Sequence, residues 1–341
     1  MQKQRDVFID GIKIYACILV VLGHFFQSMV NSDIIGKAPL LEWFDTTIYY
    51  FHVPLFFICS GYLFSKYSVI NSFSEYKEHI LKKLLALGIP YLFFSVITWG
   101  LKVLFSSQVN NQADSLFTTL FIDPVSPYWY LYTLFFIFLI TPSIKSKKGL
   151  AVLLFMGLCM KIASFFISEQ SAFVIVSVTI NEIWFVLGMC LHTYSLDKIF
   201  KKRAFVWVCG VLSVSFVGAS IFYYGIKSQL LSFLLGFVAC VATVILAIHT
   251  QNLRFIKKCV SVFSKYTMPV FLMHTIFAAA FRAMLLKLSI TSVVVHIAVG
   301  ITVSFLGPIV AYAIMSKFKA TDFMFNPTKY VKFKKQEKLN G

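Results

Sequence analysis

Four ionisable side chains fall inside long apolar stretches of the sequence. His24 lies within "VVLGHFFQSM", His52 within "YYFHVPLFF", Glu182 within "INEIWFVLGM" and His274 within "VFLMHTIF". Removing an imidazole or a carboxylate from water costs free energy unless the group is paired or lines a polar cavity. Both groups can take up and release protons near neutral pH when their surroundings tune them. The residue types therefore predict general acid–base catalysis or a proton relay.

The composition identifies the solvent around these groups. Of the 341 residues, 59% are hydrophobic and only 13% are charged, whereas a soluble domain has about 45–50% apolar residues. Apolar runs of the length needed to cross a bilayer are predicted at 12–31, 44–65, 84–106, 116–142, 149–168, 172–193, 204–224, 229–249, 266–286 and 291–315. We therefore predict an all-α polytopic membrane protein of about ten transmembrane helices, folded as one domain over residues 1–341.

The formal net charge of +17 predicts an orientation in the membrane. The basic residues occur in alternate loops, which does not fit a nucleic-acid interface but fits the enrichment of Lys and Arg on the cytoplasmic side. Both termini are then cytoplasmic. The basic tail covers residues 317–341, and its last stretch, "KYVKFKKQEKLNG", is predicted to be a flexible arm that contacts anionic lipid headgroups.

The predicted spans place His24 and His52 at matching depth. His24 lies seven or eight residues before the outer end of the first span, and His52 lies about as far after the outer start of the second. At about 1.5 Å per residue, both lie roughly 10–12 Å below the outer surface and can meet. Asp10 precedes His24 by close to four helical turns, so it is predicted on the same helix face near the cytoplasmic mouth.

The other polar residues within the spans each allow two interpretations. Glu182, near the middle of the sixth span, either tunes a neighbouring imidazole or forms an interhelical hydrogen bond. His274 is predicted in the inner half of the ninth span, with a functional or a structural role. Trp129 and Tyr130, at an outer edge, either belong to the aromatic belt or shape a substrate mouth.

The seven cysteines show neither the CxxC nor the Cys/His spacing of a metal site. They are predicted to be small apolar packing residues, with no metal and no disulfide framework.

The order of motifs carries a resemblance to a known family. "RDVFIDGIKIYACILVVLGH", "FHVPLFFICSGYLF", "LLALGIPY", "SPYWYLYTLF", "IWFVLGMCL" and "FSKYTMPVFLMHTIF" follow one another along nearly the whole chain. This order resembles the membrane acyltransferase-3 family, and within it the fucose 4-O-acetylase-like branch. The first two motifs are the most specific of the set.

The resemblance implies an O-acyltransferase that moves acetyl from cytoplasmic acetyl-CoA to a sugar hydroxyl of a cell-surface or lipid-linked polysaccharide, in a bacterial plasma membrane. The catalytic histidine and the acidic position of the family's first helix fall on His24 and Asp10, and we expect His52 and Glu182 to assist. The basic positions that hold the acyl-CoA phosphates fall on Lys82 and Lys83.

Three further assignments complete the expected site. Arg5, at the cytoplasmic N-terminus, is expected to join the acyl-CoA phosphate site. Trp129, Tyr130 and His274 are expected to contact the acceptor. The sequence departs from many family members at Leu87, where they carry an arginine ahead of the "PY" motif.

A second class of function fits the same residues. A polytopic protein with polar groups along a central path can be a proton-coupled transporter or a flippase of a lipid-linked glycan. His24 and Glu182 would then form a proton relay, with no acyl-CoA involved. Dependence on acyl-CoA separates the two classes.

Overall fold

A computed structural model describes residues 6–106, 112–168 and 170–333, and this part of the chain is helical without β-strands. The α-helices are α1 Val7–Asn31, α2 Pro39–Tyr49, α3 His52–Tyr67, α4 Phe73–Lys83, α5 Ile89–Leu104, α6 Trp129–Ile140, α7 Lys147–Ala163, α8 Phe173–Thr193, α9 Leu196–Ile199, α10 Ala204–Phe222, α11 Gln229–Thr250, α12 Arg254–Phe263, α13 Thr267–Lys287, α14 Val293–Met315 and α15 Lys319–Phe325.

Most of these helices are long and apolar because a bilayer offers no hydrogen-bond partner to the backbone, so each span must pair its own backbone groups. Eight helical segments in the described chain are long and apolar enough to cross a membrane, with α2–α3 and α4–α5 each counted as one segment. The shorter α6 and α7, of 12 and 17 residues, lie among them. The chain is a polytopic helical membrane protein, as the composition predicts, and ten crossings remain a prediction.

Two of the sequence motifs, "FHVPLFFICSGYLF" and "LLALGIPY", coincide with breaks in regular α-helix. Between α2 and α3 the backbone of Phe51 leaves the helical conformation, so His52 becomes the first residue of α3. Between α4 and α5 the chain makes a π-helical turn, Leu84–Gly88, just before Pro90. Proline lacks the N–H of a regular helix, which favours a wider turn at this point.

Two glycines allow α3 and α8 to cross in close contact. A Cβ atom at Gly188 would lie 2.8 Å from the carbonyl carbon of Ile58, and one at Gly61 would lie 2.7 Å from that of Phe185. Each glycine thus faces the backbone of the other helix, and small residues at such crossings are what allow membrane helices to pack closely. The crossing fixes α3, which carries His52, against the centre of the bundle.

The C-terminal segment packs against α5 and α14 as far as it is described. Phe325 is buried against the rings of Phe94 and Tyr312, and Asp322 is 2% exposed. The carboxylate of Asp322 accepts hydrogen bonds from Lys329 Nζ, Tyr330 Oη and Asn326 Nδ2.

These contacts correct only the start of the predicted flexible arm, because its first two residues, Lys329 and Tyr330, are bound to Asp322. The amphipathic α15 buries an aromatic and a carboxylate whose hydrogen bonds are satisfied within the segment, so residues 319–330 are anchored to the bundle. Residues 334–341 lie outside the described residues.

Candidate active site

A cavity of about 710 Å³ opens between α1, α3, α5, α6 and α13. Its volume comes partly from the run of alanines on α13, whose small side chains leave space beside α1. The side chains with polar atoms that line it are His24, Gln27, Ser28, Asn31, Tyr49, His52, Thr98, Lys102, Ser126, Trp129, Tyr130, His274, Thr275, Arg282 and Lys287.

His274 lies beside His24 because α1 and α13 run in the same direction at the same level. Cys17 Sγ donates to Thr267 O at 3.6 Å, and seven residues further along each helix stand His24 and His274. Their ring centroids are 5.4 Å apart. His274 is the eighth of the 21 residues of α13 and so lies in the half of its span in which it was predicted; it reaches the level of His24 because α13 begins beside Cys17 rather than beside the first residues of α1.

His52 reaches the same cavity from the start of α3, and Tyr49 lies between it and His24. The Tyr49 ring stands edge-on to both imidazoles, with centroids 4.6 Å from His52 and 6.4 Å from His24. The structure thus places the three histidines from three helices around one space. Sequence analysis did not identify Tyr49, whose only signal is its place three residues before His52.

Hydrogen bonds to the backbone fix which nitrogen of two histidines carries the proton. His52 Nδ1 lies 2.7 Å from Ile48 O, and His274 Nδ1 lies 2.9 Å from Phe271 O. A carbonyl oxygen only accepts, so Nδ1 is the donor in each neutral ring and Nε2 keeps its lone pair. Nε2 of His274 is buried and has no hydrogen-bond partner among the described residues.

His24 differs from the other two imidazoles in its exposure to the cavity. His52 and His274 are 2% and 1% exposed, whereas His24 is half-buried. Its Nε2 lies 3.4 Å from the hydroxyl oxygen of Ser126, which lines the cavity from the loop before α6. His24 is therefore the imidazole that a hydroxyl group in the cavity can approach.

Trp129 and Tyr130, at the start of α6, form the aromatic wall of the cavity. The Tyr130 hydroxyl lies 3.2 Å from Ser60 Oγ, and its ring packs edge-on against Phe57. These contacts hold the wall against α3. A role in acceptor binding stays a prediction for both residues.

A polar network orients Tyr49 from the outer end of the cavity. The Tyr49 hydroxyl donates to Gln27 Oε1 at 3.1 Å, and Gln27 Nε2 donates to both carboxylate oxygens of Asp45 at 3.1 and 3.0 Å. Gln27 lies within the same motif as His24, so its helical position already indicated a polar partner.

Glu182 and Asp10 do not line the histidine cavity. Glu182 Oε1 accepts a hydrogen bond from Thr141 Oγ1 at 2.8 Å, while Oε2 is buried without a hydrogen-bond partner in the described part of the chain. Asp10 stands in the first turns of α1, about 21 Å along the helix from His24. Neither carboxylate is placed to orient the His24 ring directly.

The basic residues expected to bind acyl-CoA lie on α4, away from the cavity. Lys82 Nζ pairs with Glu78 Oε1 at 2.6 Å, and Lys83 Nζ lies 3.8 Å above the centre of the Phe138 ring. Arg5 lies outside the described residues. Binding of acyl-CoA phosphates by these three residues stays a prediction.

Three cationic residues of the cavity were not predicted. Arg282 is 7% exposed and donates from Nη1 to the backbone oxygen of Ser28 at 3.2 Å and to its hydroxyl. Lys102 and Lys287 line the same part of the cavity. In the sequence they are indistinguishable from other basic residues at the ends of spans.

The described residues contain no group of three or more His, Cys, Asp or Glu side chains arranged to hold a metal ion.

A helical membrane bundle in which an imidazole faces a cavity is an arrangement suited to proton transfer. The family model described as an acyltransferase domain matches residues 6–313, and the chain belongs to this acyltransferase family.

Two relatives are similar over part of the chain. Nodulation protein NolL of Mesorhizobium japonicum is 26% identical over 152 residues, covering 44% of this chain and 39% of that protein. Nodulation protein NolL of Sinorhizobium fredii is 32% identical over 145 residues, covering 41% of this chain and 36% of that protein. The matched stretch thus spans less than two fifths of either relative. No solved structure matches the chain.

Proposed function

We propose that this acyltransferase moves an acetyl group from cytoplasmic acetyl-CoA to a hydroxyl of a cell-envelope glycan, in a bacterial plasma membrane. The observation that carries the proposal is the half-buried His24 imidazole, which faces a cavity of about 710 Å³ beside His52 and His274. Family membership supports acyl transfer, and the cavity supports a hydroxyl acceptor.

In this proposal His24 is the general base. The acceptor O–H gives its proton to the imidazole as the oxygen attacks the thioester carbonyl carbon, the C–S bond breaks, and the proton then passes to the departing thiolate. Ser126 Oγ, 3.4 Å from His24 Nε2, indicates where an acceptor hydroxyl can lie. The low dielectric of the site strengthens each of these interactions relative to water.

His52 and His274 have supporting roles. Their Nδ1–H groups are engaged by backbone carbonyls, so each presents a hydrogen-bond acceptor rather than a donor to the site. Such acceptors orient a polar donor of the substrate without competing for the proton on His24. Tyr49, held by Gln27, keeps the His24 and His52 rings apart.

The acetyl-CoA phosphates are proposed to bind on the cytoplasmic side at Lys82 and Lys83. Lysine neutralises phosphate as a point charge and lacks the bidentate fork of arginine. Lys82 is already paired with Glu78, so phosphate binding there replaces that ion pair.

The test is acceptor-dependent release of CoA thiol by the purified protein in detergent. Wild-type protein is given acetyl-CoA and an envelope glycan extract of the native organism, and O-acetyl groups on the glycan are followed by proton NMR. His24→Ala is expected to lower the rate by about 10²–10⁴-fold. His249→Ala is the matched control, because His249 bonds to Phe200 O and does not line the cavity.

Two outcomes contradict the proposal. A wild-type rate for His24→Ala removes this residue as the base. No acceptor-dependent release by wild-type protein removes acetyl transfer to glycan and favours transport of a lipid-linked glycan, in which acetyl-CoA has no part.

A further inference from the structure

The outer part of the cavity carries positive charge without acidic side chains. Arg282, Lys102 and Lys287 line it, whereas no Asp or Glu does so among the residues described. The carboxylate of Asp45 accepts two hydrogen bonds from Gln27 and does not reach the lining. The cavity is therefore electropositive at one end.

Arg282 is the strongest feature of this region. Its side chain is 7% exposed, yet it forms no ion pair within the described chain, and its hydrogen bonds are to the neutral oxygens of Ser28. A guanidinium stays protonated in proteins, so it cannot escape the cost of burial by losing its charge. A buried cation of this kind is stabilised when an anion binds beside it.

The position of Arg282 separates it from the proton-transfer site. It stands eight residues after His274 on α13, about 12 Å further along the helix. Lys287 is the last residue of the same helix, and Lys102 lies near the end of α5; both line the cavity. A bound molecule can therefore reach His24 with one group and Arg282 with another.

We infer that the acceptor is an acidic glycan, and that Arg282, assisted by Lys102 and Lys287, holds its phosphate or carboxylate group about 12 Å from the hydroxyl that is acylated. The identity of the acceptor in this inference rests on the proposed function, whereas the anion-binding site at Arg282 does not depend on it. Guanidinium binds either oxyanion in a two-pronged arrangement, so both groups share the chemistry required.

Binding is tested first, without acetyl-CoA. The full-length protein is placed in nanodiscs of phosphatidylcholine, which has no net charge, and titrated with glucose 1-phosphate, glucuronate, glucose and adenosine 3′,5′-bisphosphate by saturation-transfer NMR. We expect at least one of the two acidic sugars to bind more tightly than glucose and the nucleotide. The stronger of the two identifies phosphate or carboxylate as the recognised group.

Substitutions assign the binding to Arg282. Arg282→Gln is expected to weaken the acidic sugar about 10- to 100-fold, as loss of a charge-assisted hydrogen-bond pair does, and Arg282→Lys to weaken it less. Lys227→Gln removes an exposed lysine that does not line the cavity and should leave binding unchanged. If Arg282→Gln does not fold, the Lys102→Gln/Lys287→Gln double variant should weaken binding severalfold.

Three results overturn the inference. The first is that glucose and the acidic sugars bind equally well. The second is that the Arg282 variants or the double variant bind the acidic sugar as the wild type does. The third is that the nucleotide binds more tightly than the acidic sugars and depends on Arg282, which would assign the site to the acyl donor.

A second measurement separates this inference from the proposed function. Envelope glycan is divided by anion exchange, and acetyl transfer into the acidic and neutral fractions is compared. Preferential acetyl transfer into the acidic fraction supports both the acidic acceptor and the proposed function. Equal transfer into the neutral fraction overturns the acidic acceptor while leaving acetyl transfer intact. Arg282-dependent binding of an acidic sugar with no acetyl transfer into any fraction supports the anion site and contradicts the proposed function.

Discussion

The close contact between α3 and α8 predicts how much the substitution Gly188→Ala destabilises the protein. The new Cβ would lie 2.8 Å from the Ile58 carbonyl carbon and 2.9 Å from its Cα. The carbonyl oxygen of Ile58 is nearer still, so the helices must separate by more than the 0.7 Å or so that would bring the carbon–carbon distance to a contact of about 3.5 Å. The obstacle is backbone, so no side-chain rotation relieves it.

The expected cost of Gly188→Ala is about 1–3 kcal/mol, the usual range for an overpacked site. The matched control is Gly210→Ala on α10, where a Cβ meets no atom within 4 Å. There alanine should stabilise the helix by about 0.5–1 kcal/mol. At about 2 °C per kcal/mol, the two variants should differ in Tm by about 3 °C or more.

The assay is thermal unfolding of the detergent-solubilised protein, followed by exposure of its buried cysteines to a thiol-reactive dye. Five of the seven cysteines are buried in the folded protein, so unfolding gives a large signal. Acyl transfer by Gly188→Ala should also fall, because His52 is carried on α3. Equal Tm values for Gly188→Ala and Gly210→Ala would refute the close-contact reasoning.

Three further predictions concern the cytoplasmic side and the carboxylates. Replacing Lys82 and Lys83 with Gln should raise KM for acetyl-CoA more than it lowers kcat, since uniform binding is lost, and an unchanged KM would place the donor elsewhere. Glu182→Gln should keep the hydrogen bond from Thr141. It should retain more than about a tenth of the activity in detergent, because Glu182 does not line the cavity. A loss of activity as large as that of His24→Ala would show that Glu182 takes part directly. Asp322→Asn should increase hydrogen exchange of residues 319–330, and exchange at wild-type rates would show that the carboxylate does not anchor the segment.

The anchoring by Asp322 also has a defined pH dependence. Burial raises the pKa of this carboxyl, but the hydrogen bonds from Lys329, Tyr330 and Asn326 outweigh burial and hold the pKa below its usual value. Its stabilising contribution is therefore complete above the ordinary aspartate pKa of about 3.9 and is lost as the pH falls through the lower folded value. Protection of residues 319–330 from exchange should be constant above pH 5 and should decline below pH 4.

The general architecture could be predicted from the sequence because burial in lipid leaves a strong signal. The length of the apolar runs predicted a polytopic helical protein. Counting residues from the predicted outer ends of the spans placed His24 and His52 at one depth. The structure puts both around one cavity. Depth is predictable because each residue adds a fixed rise to a helix.

Other features depend on contacts between helices, which the length of an apolar run in the sequence does not reveal. The contact between His274 and His24 was not predicted, because α13 begins level with Cys17, some ten residues into α1, and hydropathy does not show such an offset. Glu182 was expected beside the imidazoles, but the rotation of α8 directs it to Thr141 instead. Arg282 was overlooked because its burial arises only when α13 packs against the end of α1.

The cavity is built from helices far apart in the chain, which has a consequence for biosynthesis. Its walls come from α1 at one end and from α13, which ends at Lys287, at the other. A ribosome-bound chain therefore carries His24 into the membrane long before His274 and Arg282 exist to enclose it. Activity should appear only after synthesis has passed Lys287, so partial products that end before this residue cannot modify their substrate prematurely.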